Sequence, residues 1–122
     1  MTEQPLKGVR VLVAEDEYLI ADALCKELQT SGAQIIGPVA QMEAALSLAR
    51  GDNIDAAVLD INLGGVEAYP VADLLTSRGV PVVFATGYDV FTIPVQYARV
   101  LTFMKPFRAT TIVKALRHQL GR

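Results

Sequence analysis

The stretch Ala56-Ala57-Val58-Leu59-Asp60-Ile61-Asn62-Leu63-Gly64-Gly65 decides the fold. It opens on an apolar run with no polar alternation and closes on a turn. Such a run reads as a parallel strand buried on both faces. Asp60 stands where that strand gives out. In an open α/β sheet the C-terminal strand ends form the edge that holds ligands. Asp60 is therefore read as a nucleophile that accepts a phosphoryl group, and the rest of the chain as the supplier of its metal, its counter-charge and a device that senses the product.

On the N-terminal side, Val9 to Ala14 reads as a first strand, which Glu15-Asp16-Glu17 ends. The same acidic triplet is expected to open a helix to about Ser31, with Ile20, Leu24 and Leu28 on one stripe. Gly32 suits a helix C-terminus. Gln34 to Val39 is a second strand, placed at an edge by Gly37-Pro38. Gln41 to Arg50 is a helix with Met42, Ala45, Leu46 and Ala49 on one face. Beyond Asp60, Pro70 fits the first turn of a helix that carries Val71, Leu74 and Leu75 and ends before Gly79. Tyr69, preceding that proline, is expected to be extended. Pro81 to Ala85 and Val100 to Met104 are the fourth and fifth strands, and Arg108 to Leu120 is the last helix, striped by Ile112, Leu116 and Leu120.

Between them, Gly87 to Arg99 contains Pro94 and the poor helix formers Val90, Phe91, Thr92, Ile93 and Val95. At most a short or mobile fourth helix is expected there. Repeated strand-helix alternation implies right-handed crossovers and helices on both faces of a parallel sheet. The expectation is a flavodoxin-like, doubly wound, five-stranded parallel sheet of order 2-1-3-4-5.

Composition narrows the function classes. A chain of 122 residues, 52% hydrophobic, makes one domain with one sizeable core. A net charge of -2 gives no basic footprint for nucleic acid. No apolar run approaches the ~18 residues of a membrane span. Met1-Thr2-Glu3-Gln4-Pro5 has neither the basic nor the apolar region of a secretory signal. The lone Cys25, inside a helical pattern, reads as a small packed hydrophobe and implies a reducing, cytoplasmic setting. His118 reads as a solvated surface residue of the last helix.

Four polar elements follow four strands: Glu15-Asp16, Asp60, Thr86 and Lys105. Strands 1 and 3 are neighbours at the point where strand order reverses, so a crevice opens between them. Three carboxylates in one crevice repel each other, and a divalent cation resolves the conflict. Magnesium suits oxygen ligands, few carboxylates, waters and a phosphate oxygen. Asp16 and Asp60 are the first ligand candidates, with Glu15 acting directly or through water and the Asn62 backbone carbonyl as a further one. Phosphoryl transfer depends mainly on positioning and charge neutralisation. Lys105 offers a mobile ammonium for Asp60 at rest and for a phosphoryl oxygen afterwards, and Thr86 offers a hydroxyl donor. Gly87 leaves room beside Thr86, and Pro106 permits a cis peptide after Lys105. Each element alone is ordinary for a helix start, a turn or a strand exit; their joint placement on one edge is not. No GxGxxG or GxxxxGK[ST] loop occurs, so dinucleotide and nucleoside triphosphate binding lack support.

These residues in this order resemble the response-regulator receiver domain of two-component signalling. The matching pieces are Val11-Leu12-Val13-Ala14-Glu15-Asp16-Glu17, Val58-Leu59-Asp60-Ile61-Asn62-Leu63, Val82-Val83-Phe84-Ala85-Thr86-Gly87-Tyr88 and Phe103-Met104-Lys105-Pro106-Phe107. The resemblance implies one receiver domain over residues 1–122, phosphorylated on Asp60 by a histidine kinase or a histidine phosphotransfer protein. It implies Mg2+ at Glu15, Asp16, Asp60 and the Asn62 carbonyl, and a phosphoacceptor switch rather than an enzyme acting on other molecules. Phe84-Ala85-Thr86-Gly87-Tyr88 also resembles the signature of FATGUY receivers, which implies an alphaproteobacterial source and a kinase of the HWE or related type; many FATGUY receivers stand alone, and a native full-length chain is expected because neither end carries a tag-like run. In one place the chain departs from typical receivers: Thr102 occupies the usual switch-aromatic position, three residues before Lys105, and Tyr88 is the candidate to replace it. The acyl phosphate is expected to draw in Thr86 and reshape the 86–107 region, changing affinity for a downstream protein target. A monomer or weak homodimer is expected. A haloacid-dehalogenase-type phosphohydrolase would want DxDxT where Asp60-Ile61-Asn62-Leu63-Gly64 stands, and a pseudo-receiver would have lost an acidic or lysine position.

Overall fold

The computed structural model describes residues 4–51, 53–88 and 92–122. Strands β1 (Arg10–Ala14), β2 (Gln34–Val39) and β3 (Ala56–Leu59) alternate with helices α1 (Tyr18–Thr30) and α2 (Met42–Gly51). A two-stranded element, β4 (Asn62–Leu63) and β5 (Val66–Glu67), leads into α3 (Tyr69–Ser77). Then come β6 (Val82–Thr86), a 3-10 turn (Val95–Tyr97), β7 (Leu101–Met104) and α4 (Ala109–Gln119). The main sheet is parallel, ordered β2-β1-β3-β6-β7. With the small β4–β5 ribbon set aside, this is the expected 2-1-3-4-5 order, with β2 at an edge.

The period of two along each strand divides the core into two layers. Leu12, Ala14, Ala57, Leu59, Val82 and Phe84 pack on the α2–α3 side. Val11, Val13, Ala56, Val58, Val83 and Ala85 pack on the α1–α4 side with Leu24, Leu28, Ile112 and Leu116. The expected helical stripes supply these layers, and Cys25 is a buried free thiol among the α1–α4 residues. Gly32, at φ +96°, holds α1 against the N-terminal segment: a Cβ there would lie 2.8 Å from Lys7 Cα.

Of four local expectations, the first and third need correction and the other two are sharpened. First, α1 begins at Tyr18, not within Glu15-Asp16-Glu17, because Glu17 is an extended N-cap and its N–H donates to Glu15 Oε2 at 2.9 Å. Second, the turn after Asp60 is a hairpin. Gly64 and Gly65 have φ of +62° and +89°, the doubly positive turn that joins β4 to β5. Third, Tyr69 is helical. Its ring stacks on Tyr97 at 4.4 Å and meets Phe84 edge-on at 6.0 Å, and this packing outweighs the bias that Pro70 imposes. Fourth, at most a short helix is expected in the 87–99 stretch, and its described residues show only 3-10 geometry, at Thr92 and Val95–Tyr97; Val90 and Phe91 lie outside the described residues.

Phe84 is fully buried and edge-on to both tyrosines. Phe84→Ala should cost about 3–5 kcal/mol of folding stability, read as a lower urea midpoint with an unchanged slope.

Candidate functional site

Strand register brings the polar residues together. Ala14 pairs with Leu59 across β1 and β3, so Glu15 and Asp60 leave adjacent strands side by side. The Asp60 N–H still bonds Ala14 O, at 2.8 Å. Both residues continue the parity of the strand positions that face α1 and α4. Thr86 pairs with Met104 across β6 and β7, and the next amide, of Lys105, donates to Thr86 O at 2.8 Å. Every expected site element except Thr102 therefore meets at the C-terminal edge of the sheet.

The edge is a cleft of about 430 Å³ lined by Asp16, Glu17, Asp60, Asn62, Thr86, Tyr88 and Lys105, among others. The Lys105 ammonium is its centre. Nζ lies 2.8 Å from Asp60 Oδ2, 3.0 Å from both Glu15 carboxylate oxygens and 3.3 Å from Glu17 Oε1. Asp60 and Glu15 are buried, with 4% and 5% of their surface exposed, so their charges need this partner. Asp60 Oδ1 also accepts the Asn62 N–H at 3.1 Å. Asp16 Oδ2 accepts the Gly64 N–H at 3.0 Å, and Gly65 N–H donates to Asn62 Oδ1 at 2.7 Å. The hairpin is thereby tied to two of the three carboxylates. The Lys105–Pro106 peptide is cis.

Burial pushes the Glu15 carboxyl up from 4.5 to about 7, against the pull of the Glu17 N–H and of Lys105. Burial also raises Asp16, but the Gly64 N–H and other hydrogen bonds outweigh it and hold Asp16 below the usual carboxylate range. Burial lowers Lys105, yet its bonds to Asp60 and Glu15 prevail and leave it more firmly protonated than an ordinary lysine.

One carboxylate oxygen from each of Glu15, Asp16 and Asp60 lies within 4.8 Å of the others, a hard-oxygen donor set that fits a divalent cation. Thr86 is fully buried, and its Oγ1 accepts the Tyr88 N–H at 3.0 Å, so residue 88 is tethered to the cleft. A Cβ at Gly87 would meet nothing within 4 Å, which leaves the space beside Thr86 open. Thr102 is elsewhere: it lines a separate hollow with Ile93, Tyr97, Ala98 and Val100, and its hydroxyl donates to Val100 O at 3.1 Å. His118 is exposed on α4. Two contributions were missed at the sequence level. Glu17 reaches Lys105 across 88 positions of chain, and nothing local announces it. The Gly64 donor had a signal, since Gly-Gly between short apolar segments is a two-residue hairpin.

The response regulator receiver domain family model matches residues 11–117, and the chain belongs to that family. It is 33% identical over 113 residues to the sensory transduction protein LytT of Bacillus anthracis, covering 89% of this chain and 46% of that protein. The chain thus spans about half the length of the curated relatives it matches. Among solved structures it is similar to SdrG from Sphingomonas melonis Fr1, at 37% identity and a TM-score of 0.78 over 88% of this chain and 92% of that one. The BeF3-activated conformation of SdrG aligns at 35% identity and a TM-score of 0.75, over 98% and 99% of the two chains. None of the described helices is long and apolar enough to cross a membrane.

The Glu15 shift has a readable consequence. Its folded value lies above its unfolded one, so between pH 4.5 and 7 the folded state holds more protons than the unfolded state. Stability contributed by this group is full below that window and falls as pH rises through it, by on the order of 2–3 kcal/mol. In metal-free buffer the urea midpoint should therefore decline from pH 5 to pH 7.5, and Glu15→Gln should flatten the decline.

Proposed function

We propose that this receiver domain accepts a phosphoryl group on Asp60 from a histidine kinase, or from a histidine phosphotransfer protein, in a magnesium-dependent reaction. The observation that carries the reading is the Lys105 ammonium, 2.8 Å from Asp60 inside a three-carboxylate cluster. Asp60 forms the new P–O bond as the P–N bond of the phosphohistidine breaks. Lys105 shifts from pairing with Asp60 to pairing with a phosphoryl oxygen, and the Thr86 hydroxyl donates to another. Glu15, Asp16, Asp60 and the Asn62 carbonyl would hold Mg2+, which supplies charge neutralisation for the incoming group. Nothing in this chemistry turns over a second substrate, so the domain is a phosphoacceptor switch that catalyses only its own phosphorylation and dephosphorylation.

The bond from the Tyr88 N–H to Thr86 Oγ1 supports a route outward. Movement of Thr86 toward the phosphoryl group pulls on residue 88 and so on the 86–107 region, part of which, 89–91, lies outside the described residues. Tyr88, which lines the cleft, is the favoured switch residue over Thr102, which does not. The readout is altered binding of a downstream protein, with residues 1–122 acting as one cytoplasmic domain, a monomer or weak homodimer. A kinase of the HWE type fits the Phe84–Tyr88 run.

Incubation with acetyl phosphate and Mg2+ followed by intact mass tests the core of this. The wild type should carry one phosphoryl adduct and Asp60→Asn none; an adduct on both would remove Asp60 from its role. Lys105→Ala should still fold but lose the tight, metal-dependent response to beryllofluoride, seen by tyrosine fluorescence or amide chemical shifts.

A further inference from the structure

We propose that Glu17 is a positioning residue that competes with the phosphoryl group for the Lys105 ammonium and so restrains phosphorylation; this rests on the reading of Asp60 as the acceptor. The ammonium has three protons. Asp60 and Glu15 accept its hydrogen bonds at 2.8 and 3.0 Å and Glu17 pairs with it as an ion at 3.3 Å, so a phosphoryl oxygen competes with these acids for one ammonium. Asp60 and Glu15 are buried and belong to the carboxylate cluster suited to a cation. Glu17 belongs to neither category: its side chain is 60% exposed and it lies outside the cluster, yet it lines the same cleft.

The fold does not account for the Glu17 side chain. Glu17 is the N-cap of α1, the position where a side chain would ordinarily accept a helix N–H, and it makes no such bond. Its carboxylate reaches away from the helix to a lysine 88 positions along the chain. The backbone N–H of Glu17, which holds Glu15, is present whatever side chain stands there. Substituting this side chain therefore perturbs the lysine and little else.

The geometry fixes the direction of the effect. When Lys105 leaves Asp60 for a phosphoryl oxygen, Glu17, 3.3 Å from it at rest, competes for the same ammonium, so loss of the Glu17 contact leaves the lysine freer to follow the phosphoryl group. Glu17→Gln removes the charge, whereas Glu17→Asp keeps the charge and shortens the reach. If contact is the cause, both variants take up phosphoryl from acetyl phosphate faster than the wild type, by about fivefold as expected for one partly exposed ion pair, and both bind beryllofluoride with Mg2+ more tightly. Acceleration by Gln alone, with Glu17→Asp matching the wild type, would reduce Glu17 to a repelling charge at the cleft and overturn the proposal. Unchanged or slower uptake in both variants overturns it as well. Absence of any adduct on the wild type overturns it by a different route, through Asp60 itself.

Discussion

One buried cation holds the functional edge together. Asp60 and Glu15 leave neighbouring strands in parallel, with no room to turn outward, and both are removed from water. Burial already pushes the Glu15 carboxyl toward taking up a proton, and the neighbouring Asp60 charge adds to that push. The Lys105 ammonium offsets the conflict from the far side of the sheet, across β6. A buried pair of this kind contributes little net stability, but removal of one partner leaves an uncompensated charge. The arrangement is therefore better understood as poise than as reinforcement. The same ammonium that quiets the carboxylates is the group that any incoming anion must recruit.

That poise depends on register, which the sequence makes legible. Apolar runs at Val11–Ala14, Ala56–Leu59 and Pro81–Ala85 read as strands covered on both faces, and the polar residue that closes each run emerges at one edge. Period-two alternation then fixes which layer each side chain joins, and the helical stripes match those layers. Asp60, Asp16, Glu15, Thr86 and Lys105 were recoverable because each ends a strand or sits one or two residues past one, where topology determines position. What resisted reading depended on contacts between segments with no shared pattern. Tyr69 is helical because two rings from β6 and the Val95–Tyr97 turn pack on it, information absent from the Tyr69-Pro70 dipeptide. Glu17 looked like a helix start and is a ligand of Lys105, because its neighbour Glu15 captures its amide and sends the side chain elsewhere.

The β4–β5 ribbon adds a constraint that a simple loop would lack. Its tip donates the Gly64 N–H to Asp16, while its first strand donates the Asn62 N–H to Asp60. The positive φ angles of Gly64 and Gly65 are what let so short a ribbon turn back and present its amides inward. Two carboxylates that would otherwise be free to separate are thus clipped to one rigid turn. The fit of the cluster to a divalent cation owes as much to these amides as to the acids themselves, because they fix where the oxygens lie.

On the opposite flank the linkage is aromatic. Phe84, two residues before Thr86, meets Tyr69 and Tyr97 edge-on, and these two stack on each other. The Tyr97 hydroxyl donates to Asp73 on α3 at 2.9 Å, while the buried Tyr69 hydroxyl has no hydrogen-bond partner among the described residues. Tyr97 thereby anchors a segment in which the described backbone forms the short Val95–Tyr97 3-10 turn. A turn of that length has few internal hydrogen bonds to lose, so its position depends on ring packing. Ring packing has discrete alternatives, unlike a loop that drifts. A displacement of Thr86, transmitted through β6 to Phe84, would act directly on the contact that locates the turn.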